Sequence, residues 1–433
     1  MTIGWLTELG PLLMNATGGL MANPYAWTKA PAHVFALEAP VGVGYSYCER
    51  QAKEGKPCQN TDRYTASASR AALVDFFTNK FPELQASDFY ITGESYAGVY
   101  IPTLANEILT NGQNKVPLKG IAVGDPCTDN DAQADSMDDL WYGHKYGLVD
   151  DDIYDLLWNH CDIRTPNLLS SRHGSLDMLR MKWNRQLMEL EDLSERRQKA
   201  FELVNDLVDY KEVSKRSRNV GQTSQDDDDK CQLAYRKFLL SSSKGLSQSW
   251  RDLYIDDYSL FSPIDNGEED AMGVYMMRDD VKAALHVEQS PTETWPYASQ
   301  GFHYEKEYDA CNWGDNILIH KSMIDFYKDI VPQLDRTWVY NGDTDPCVSY
   351  EGTRTAVKRV GIDELDGGSY RPWFYNHTAT TVEVLKEKPP LFGPNLVLQN
   401  LGSQYGGHVV NYEEGLSFVT IHGSGHMVRM DTN

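Results

Sequence analysis

Residues 88–102 constrain this chain more than any other stretch. Phe89-Tyr90-Ile91-Thr92 reads as a short apolar strand, Gly93-Glu94-Ser95-Tyr96-Ala97-Gly98 as a turn, and Val99 onward as a helix. A turn of this kind holds the serine at its apex in strained backbone and leaves its hydroxyl exposed above a sheet. Small residues must flank the serine, because strand and helix pass close together there. Gly93 lies two before it and Ala97 two after, with Gly98 one step beyond the usual glycine. A bare small-x-Ser-x-small match is common by chance; the strand before, the helix after and the partners downstream give it weight.

Those partners are an acid and a histidine. Residues 336–345 read as a buried strand ending in a polar turn with Asp343 and Asp345, and residues 416–426 as another strand ending in a Gly-rich turn with His426. The order serine, acid, histidine, each at a strand's C-terminal end, is that of the α/β-hydrolase arrangement. The chemistry needs these residue types. A serine hydroxyl is a weak nucleophile until a base takes its proton, an imidazole titrates in the right range, and a carboxylate fixes its tautomer. The expected fold is α/β: a mixed sheet flanked by helices, with a helical cap insertion.

Three segments make the likeness specific: Gly93-Glu94-Ser95-Tyr96-Ala97-Gly98, Tyr340-Asn341-Gly342-Asp343-Thr344-Asp345 and Gly423-Ser424-Gly425-His426-Met427. Together with residues 8–11, 23–27, 38–46 and 76–82, they resemble the serine carboxypeptidase family over about residues 1–160 and 250–433. The resemblance implies peptide C-termini as substrates, Ser95 as nucleophile, His426 as base and Asp345 as orienting acid, with Asp343 the competing candidate. It also implies an oxyanion donor at the Tyr96 N–H and no cofactor or metal. An acyltransferase or esterase on the same scaffold is the alternative, since a triad fixes acyl chemistry but not the acceptor. A catalytically impaired binding protein is the other.

Glu94 is an unexpected neighbour for a nucleophile. Within the resemblance, Glu94 and Glu8 match two carboxyls that share a proton and hydrogen-bond the substrate's terminal carboxylate. Adjacent like charges raise one pKa, so such a pair stays half protonated and can donate to an anion. An acidic optimum for peptide hydrolysis follows. The plain alternative is an acid favoured by the dipole at a helix start.

The family also carries a glycine-rich segment that would lie upstream of Met1, with one oxyanion N–H and a cysteine. The expectation is therefore a sequence short at both ends, with Arg429 where the family has proline and a sheet edge left unpaired. Of the seven cysteines, Cys311 resembles the one that pairs with that upstream cysteine. Cys48 and Cys58 bracket a polar loop and suit a local bridge, Cys161 and Cys231 could staple the insertion, Cys347 reads as a free buried thiol, and Cys127 has no assignment. No C-x-x-C pair exists, which disfavours zinc and redox motifs.

A net charge of −23 argues against nucleic acid and anionic membranes as partners, and no apolar run reaches the length of a membrane span. The sequence shows no signal peptide. The resemblance and the sequons at Asn15 and Asn376 point to the secretory pathway, with a vacuolar, lysosomal or extracellular destination, and a homodimer is compatible with it.

Along the chain, residues 29–46, 88–92 and 119–124 read as strands and 62–80 and 98–110 as helices. The expected organisation is a first core part over 1–128, a helical cap over 129–255 and a second core part over 256–433. The cap carries Leu176, Leu179, Trp183, Leu187 and Leu190 at helical spacing, a second helix over 197–210, and a polar loop over 215–230 that a basic-site protease could nick. Its four aspartates lack EF-hand spacing. His422 reads as a strand-end residue. Trp27 and Tyr96 are candidates for the pocket wall, with core packing the default for Trp27.

Overall fold

Alternation of apolar and polar residues sets the strands. In Leu416–Ile421, Leu416, Phe418 and Thr420 are buried, while Ser417, Val419 and Ile421 are half-buried; in Arg336–Gly342, Thr337, Val339 and Asn341 point inward, while Arg336 and Trp338 are exposed. The computed structural model describes residues 2–15, 17–111, 115–161, 230–231, 234, 237–238, 268–295, 303–312, 319–377 and 402–427. Its strands are β1 (Leu12–Met14), β2 (Leu20–Ala22), β3 (Gln59–Thr61), β4 (Phe89–Glu94), β5 (Leu118–Gly124), β6 (His303–Glu305), β7 (Arg336–Gly342), β8 (Arg371–His377), β9 (Gly402–Asn411) and β10 (Leu416–Ile421). Six form one sheet in the order β4-β5-β7-β10-β9-β8. From β4 to β10 neighbours run parallel, and β9 and β8 close the sheet antiparallel. This is the mixed α/β sheet expected of the sequence.

One face of the sheet carries the main core. Val123, Val339 and Phe418 are fully buried against Val99 and Ala105 of helix Ala97–Asn111, Tyr327 and Ile330 of helix Met323–Ile330, and Ala356 of helix Tyr350–Arg359. Met323, Phe326, Tyr327 and Ile330 recur at helical spacing, so one stripe of that helix meets the sheet. Burying a side chain such as Phe418 stabilises the fold by about 1.5–3 kcal/mol. On the other face Trp338 and Tyr90 are about half exposed, and a cavity opens beside them.

The helices expected over 62–80 and 98–110 are present as Asp62–Asp75, continued by a π turn over Phe76–Lys80, and as Ala97–Asn111. Residues 29–46 are a correction. After a short turn over Trp27–Lys29, residues 33–39 take no regular secondary structure and join no ladder among the described residues, where β4 is the outer strand of the sheet. Pro31 and Pro40 bracket the segment and supply no N–H, and 30–37 instead line the cavity opposite β4.

After β5 the chain enters short helices, Asn130–Gln133, Asp139–Lys145 and Asp151–Asp155. Each is capped by the preceding aspartate side chain, Asp129, Asp138 or Asp150. The second and third share a separate apolar cluster of Leu140, Tyr142, Val149 and Leu157 with Cys161, Cys231, Ala234 and Phe238, while Ala132 of the first packs on the main core. The helices expected around 176–190 and 197–210, the basic stretch at 215–218, the aspartate run, and Arg429 lie outside the described residues.

Disulfides join Cys48 to Cys58 and Cys161 to Cys231, as expected. The third corrects the reading of Cys311. Its partner is Cys127, within the chain, because the turn after β5 and the 303–312 segment pack together. Cys347 is exposed rather than buried. It follows Asp345 by two on the outside of the acid turn, while Val348 and Ser349 take the inward positions.

Candidate active site

Each of the four parallel strands delivers a polar residue to the same edge of the sheet. After β4 comes Ser95, with φ 60°, in the left-handed region that ordinary side chains avoid. Its N–H donates to the Gly124 carbonyl at 2.9 Å, and its carbonyl accepts from the N–H groups of Gly98 at 2.8 Å and Cys127 at 3.0 Å. The elbow is thus stitched to the end of β5 on both sides. The flanking glycines have steric reasons. A Cβ on Gly93 would stand 2.8 Å from that of Ala97, and one on Gly98 would stand 2.4 Å from the Cys127 carbonyl oxygen.

His426 and Asp345 come from the turns after β10 and β7. His426 Nδ1 lies 2.8 Å from Asp345 Oδ2, and both side chains are almost wholly buried. Asp345 is oriented from behind by the N–H groups of Cys347 at 2.7 Å and Val348 at 3.2 Å. The two turns are tied by Thr344, whose N–H and hydroxyl both donate to the Ser424 carbonyl, at 2.9 and 2.8 Å. Gly342 permits the approach, since a Cβ there would meet the Ser424 and Gly425 carbonyl oxygens at 2.2 Å. Asp343 instead bonds His422 Nδ1 at 2.7 Å and the Gly423 N–H at 2.7 Å, on the more exposed side. The two aspartates therefore serve two histidines, and His422 follows β10 directly.

Burial pushes the His426 imidazole down, but the charge and hydrogen bond of Asp345, backed by Glu94 and Glu8, outweigh it and leave the pKa above its ordinary value. Glu94 closes β4 rather than opening a helix. Burial, and after it the charge of Glu8, raise its pKa to about 8, with Asp345 adding and His426 opposing. Glu8 is buried just past helix Thr2–Thr7, where Asn23 Nδ2 grips its carbonyl at 2.9 Å. Ser95, Glu94, Glu8, Trp27, Tyr96 and Tyr340 line a cavity of about 1750 Å³, whereas His426 and Asp345 are not on its wall. Trp27 is 38% exposed, so it belongs to the pocket and not to the core.

Sequence reasoning missed two residues here. Asp62, fully buried, accepts from the Tyr96 hydroxyl at 2.9 Å, the Tyr304 hydroxyl at 2.7 Å and the Glu307 N–H at 2.6 Å, and so pins the residue after Ser95. It opens a helix, where an acid looks unremarkable. Asp125 follows β5 as Ser95 follows β4, also with positive φ, 42°. An acid directly after a buried strand was the signal that could have found it.

The serine carboxypeptidase family model matches residues 1–433. The chain is 28% identical to Serine carboxypeptidase-like 33 of Arabidopsis thaliana over 99% of this chain and 74% of that protein. It is 26% identical to Serine carboxypeptidase 1 of Hordeum vulgare over 98% and 77%. Kex1(delta)p, a prohormone-processing carboxypeptidase from Saccharomyces cerevisiae, shares the fold with a TM-score of 0.57 at 19% identity, over 100% of this chain and 77% of that one. The sheet with its elbow serine agrees with the family match, and the chain belongs to the serine carboxypeptidase family.

Proposed function

We propose that this serine carboxypeptidase cleaves the last peptide bond of its substrates through an acyl-enzyme on Ser95. His426 takes the Ser95 proton as Oγ attacks the carbonyl carbon. The resulting oxyanion receives the Tyr96 N–H, which donates to no described group. As the intermediate collapses, the C–N bond breaks and His426 returns the proton to the leaving amine. Water, activated by the same imidazole, then releases the acyl group. Asp345, bonded to Nδ1, holds His426 in the tautomer whose Nε2 acts as base.

The observation that carries this reading is Glu94 beside Glu8 on the cavity wall, next to Ser95. An esterase or acyltransferase needs only the triad. A carboxyl kept protonated by burial and by a second carboxyl is suited to donating to a substrate's terminal carboxylate, and amide hydrolysis at a free C-terminus uses that group. Three disulfides support synthesis in an oxidising compartment, and among the described residues no helix is long and apolar enough to cross a membrane.

Labelling by a fluorophosphonate, lost in Ser95→Ala, tests the nucleophile; an unlabelled parent protein would favour an inert binding role. Blocked dipeptides with free and amidated C-termini, compared near pH 5, test the substrate class. Only the free acid should be cleaved well, and equal cleavage of the amide would defeat the reading.

A further inference from the structure

We propose that Asp125 is a neutral carboxylic acid that donates a hydrogen bond to Asp345 and so acts as a positioning residue for the Asp345–His426 pair. The inference rests on the roles given above to Asp345 and His426. Asp125 is fully buried at the end of β5, between the elbow after β4 and the acid turn after β7. Its Oδ1 accepts from the Gly342 N–H at 2.9 Å and from Asn341 Nδ2 at 3.2 Å. Its Oδ2 is buried and receives no donor. A charged oxygen sealed from water without a donor is costly, whereas an O–H has a use for a neighbouring acceptor. That acceptor is at hand: Asp125, Asp345 and His426 each offer an atom within 4.8 Å of the others'.

Two carboxyls this close cannot both ionise cheaply, so one keeps its proton. Asp345 already faces an imidazole and two backbone N–H groups, whereas Asp125 Oδ2 has no donor. The proton therefore stays on Asp125. The groups facing it agree: burial, then Asp345, then Glu94 press its carboxyl well above the usual range, against the opposing pull of the Gly342 N–H and the Asn341 amide. Tyr340, opposite Gly124 in β7, offers its carbonyl to the Asp125 N–H at 2.7 Å. The backbone strain at φ 42° is a further cost that a merely space-filling residue would not justify. No proton is transferred in this role. Asp125 holds the carboxylate that holds the imidazole.

Asn is the isostere that donates to Asp345 without a titrating proton, and Leu is the isostere that donates nothing. The parent, Asp125→Asn and Asp125→Leu are compared by steady-state kinetics on a blocked dipeptide and by infrared spectroscopy of the free protein near pH 6. Asp125→Asn should keep kcat within about threefold, and Asp125→Leu should lose about 10- to 100-fold in kcat with KM little changed. Independently of turnover, a protonated-carboxyl stretch in the parent should vanish in Asp125→Asn and persist in Glu94→Gln. Equal kcat in the parent and Asp125→Leu, or an Asn variant as impaired as the Leu variant, would overturn the proposal. So would an unchanged carboxyl band in Asp125→Asn, which decides the matter even where Asp125→Leu does not fold or where the parent lacks peptidase activity.

Discussion

A methyl group on Gly98 would have to displace the backbone of Cys127, whose nitrogen lies 2.6 Å from where its carbon would sit. Backbone there cannot yield easily, because the Cys127 N–H also holds the Ser95 carbonyl at 3.0 Å. Gly98→Ala is therefore expected to cost about 1–3 kcal/mol in urea unfolding and to slow fluorophosphonate labelling of the folded protein. Ala97, whose methyl already fits beside Gly93, should tolerate glycine far better. The elbow, the acid turn and the histidine turn were legible in the sequence because each carries small residues and a reactive group at a strand end. The choice between Asp343 and Asp345 was not legible. Both lie in one turn, and only the paths of the backbone N–H groups of Cys347 and Val348 aim one of them at His426. Asp125 escaped notice because its neighbours in space, Asn341 and Gly342, are distant in sequence.

Among elements, the link between the turn after β5 and the 303–312 segment governs the rear of the site. Cys127 and Cys311 bridge it, and Asn130 Nδ2 bonds the Asn312 carbonyl at 2.8 Å. Gln133, buried beneath, fills four bonds, accepting from the N–H groups of Thr128 and Asp129 and donating to the Pro126 carbonyl and Thr353 hydroxyl. Replacing both Cys127 and Cys311 by serine should cost about 2–5 kcal/mol in non-reducing denaturant unfolding, and should slow labelling of Ser95 in the folded fraction. Element-level reading succeeded where period and length agreed, as in β5, β7, β10 and the helices after Asp62 and Ala97. It failed over 29–46, where apolar content suggested a strand but the ladder needed a neighbour that pattern alone cannot supply. It failed also for Cys311, because a pairing set by two packed loops leaves no local trace.

For the molecule as a whole, protonation and stability are coupled with one sign. Glu94 is raised from 4.5 to about 8, so between those values the folded chain binds more protons than the unfolded one. Stability must then fall as pH rises through that window. Asp125, raised above its usual range, acts likewise. His426, raised above 6.5, contributes stability that is complete below 6.5 and lost as pH climbs through its folded pKa. Self-repulsion from a net charge of −23 pushes in the same direction. Calorimetry should find the melting temperature falling from about pH 5 to about pH 8, with part of the slope removed in Glu94→Gln. A melting temperature that rises over that interval would contradict the buried acid pair. Turnover should show the same pair differently: KM for a free-acid peptide should climb above about pH 8, where Glu94 ionises and repels the substrate's carboxylate.

The seat of β10 between β7 and β9 has a consequence for biogenesis. In the proposed reaction the nucleophile Ser95 is made early and its base His426 late, after a strand that takes its place between β7 and β9. A ribosome-bound or cut chain ending before that strand would carry a serine with nothing to activate it. On the proposed roles, chain order alone therefore keeps the unfinished polypeptide inactive.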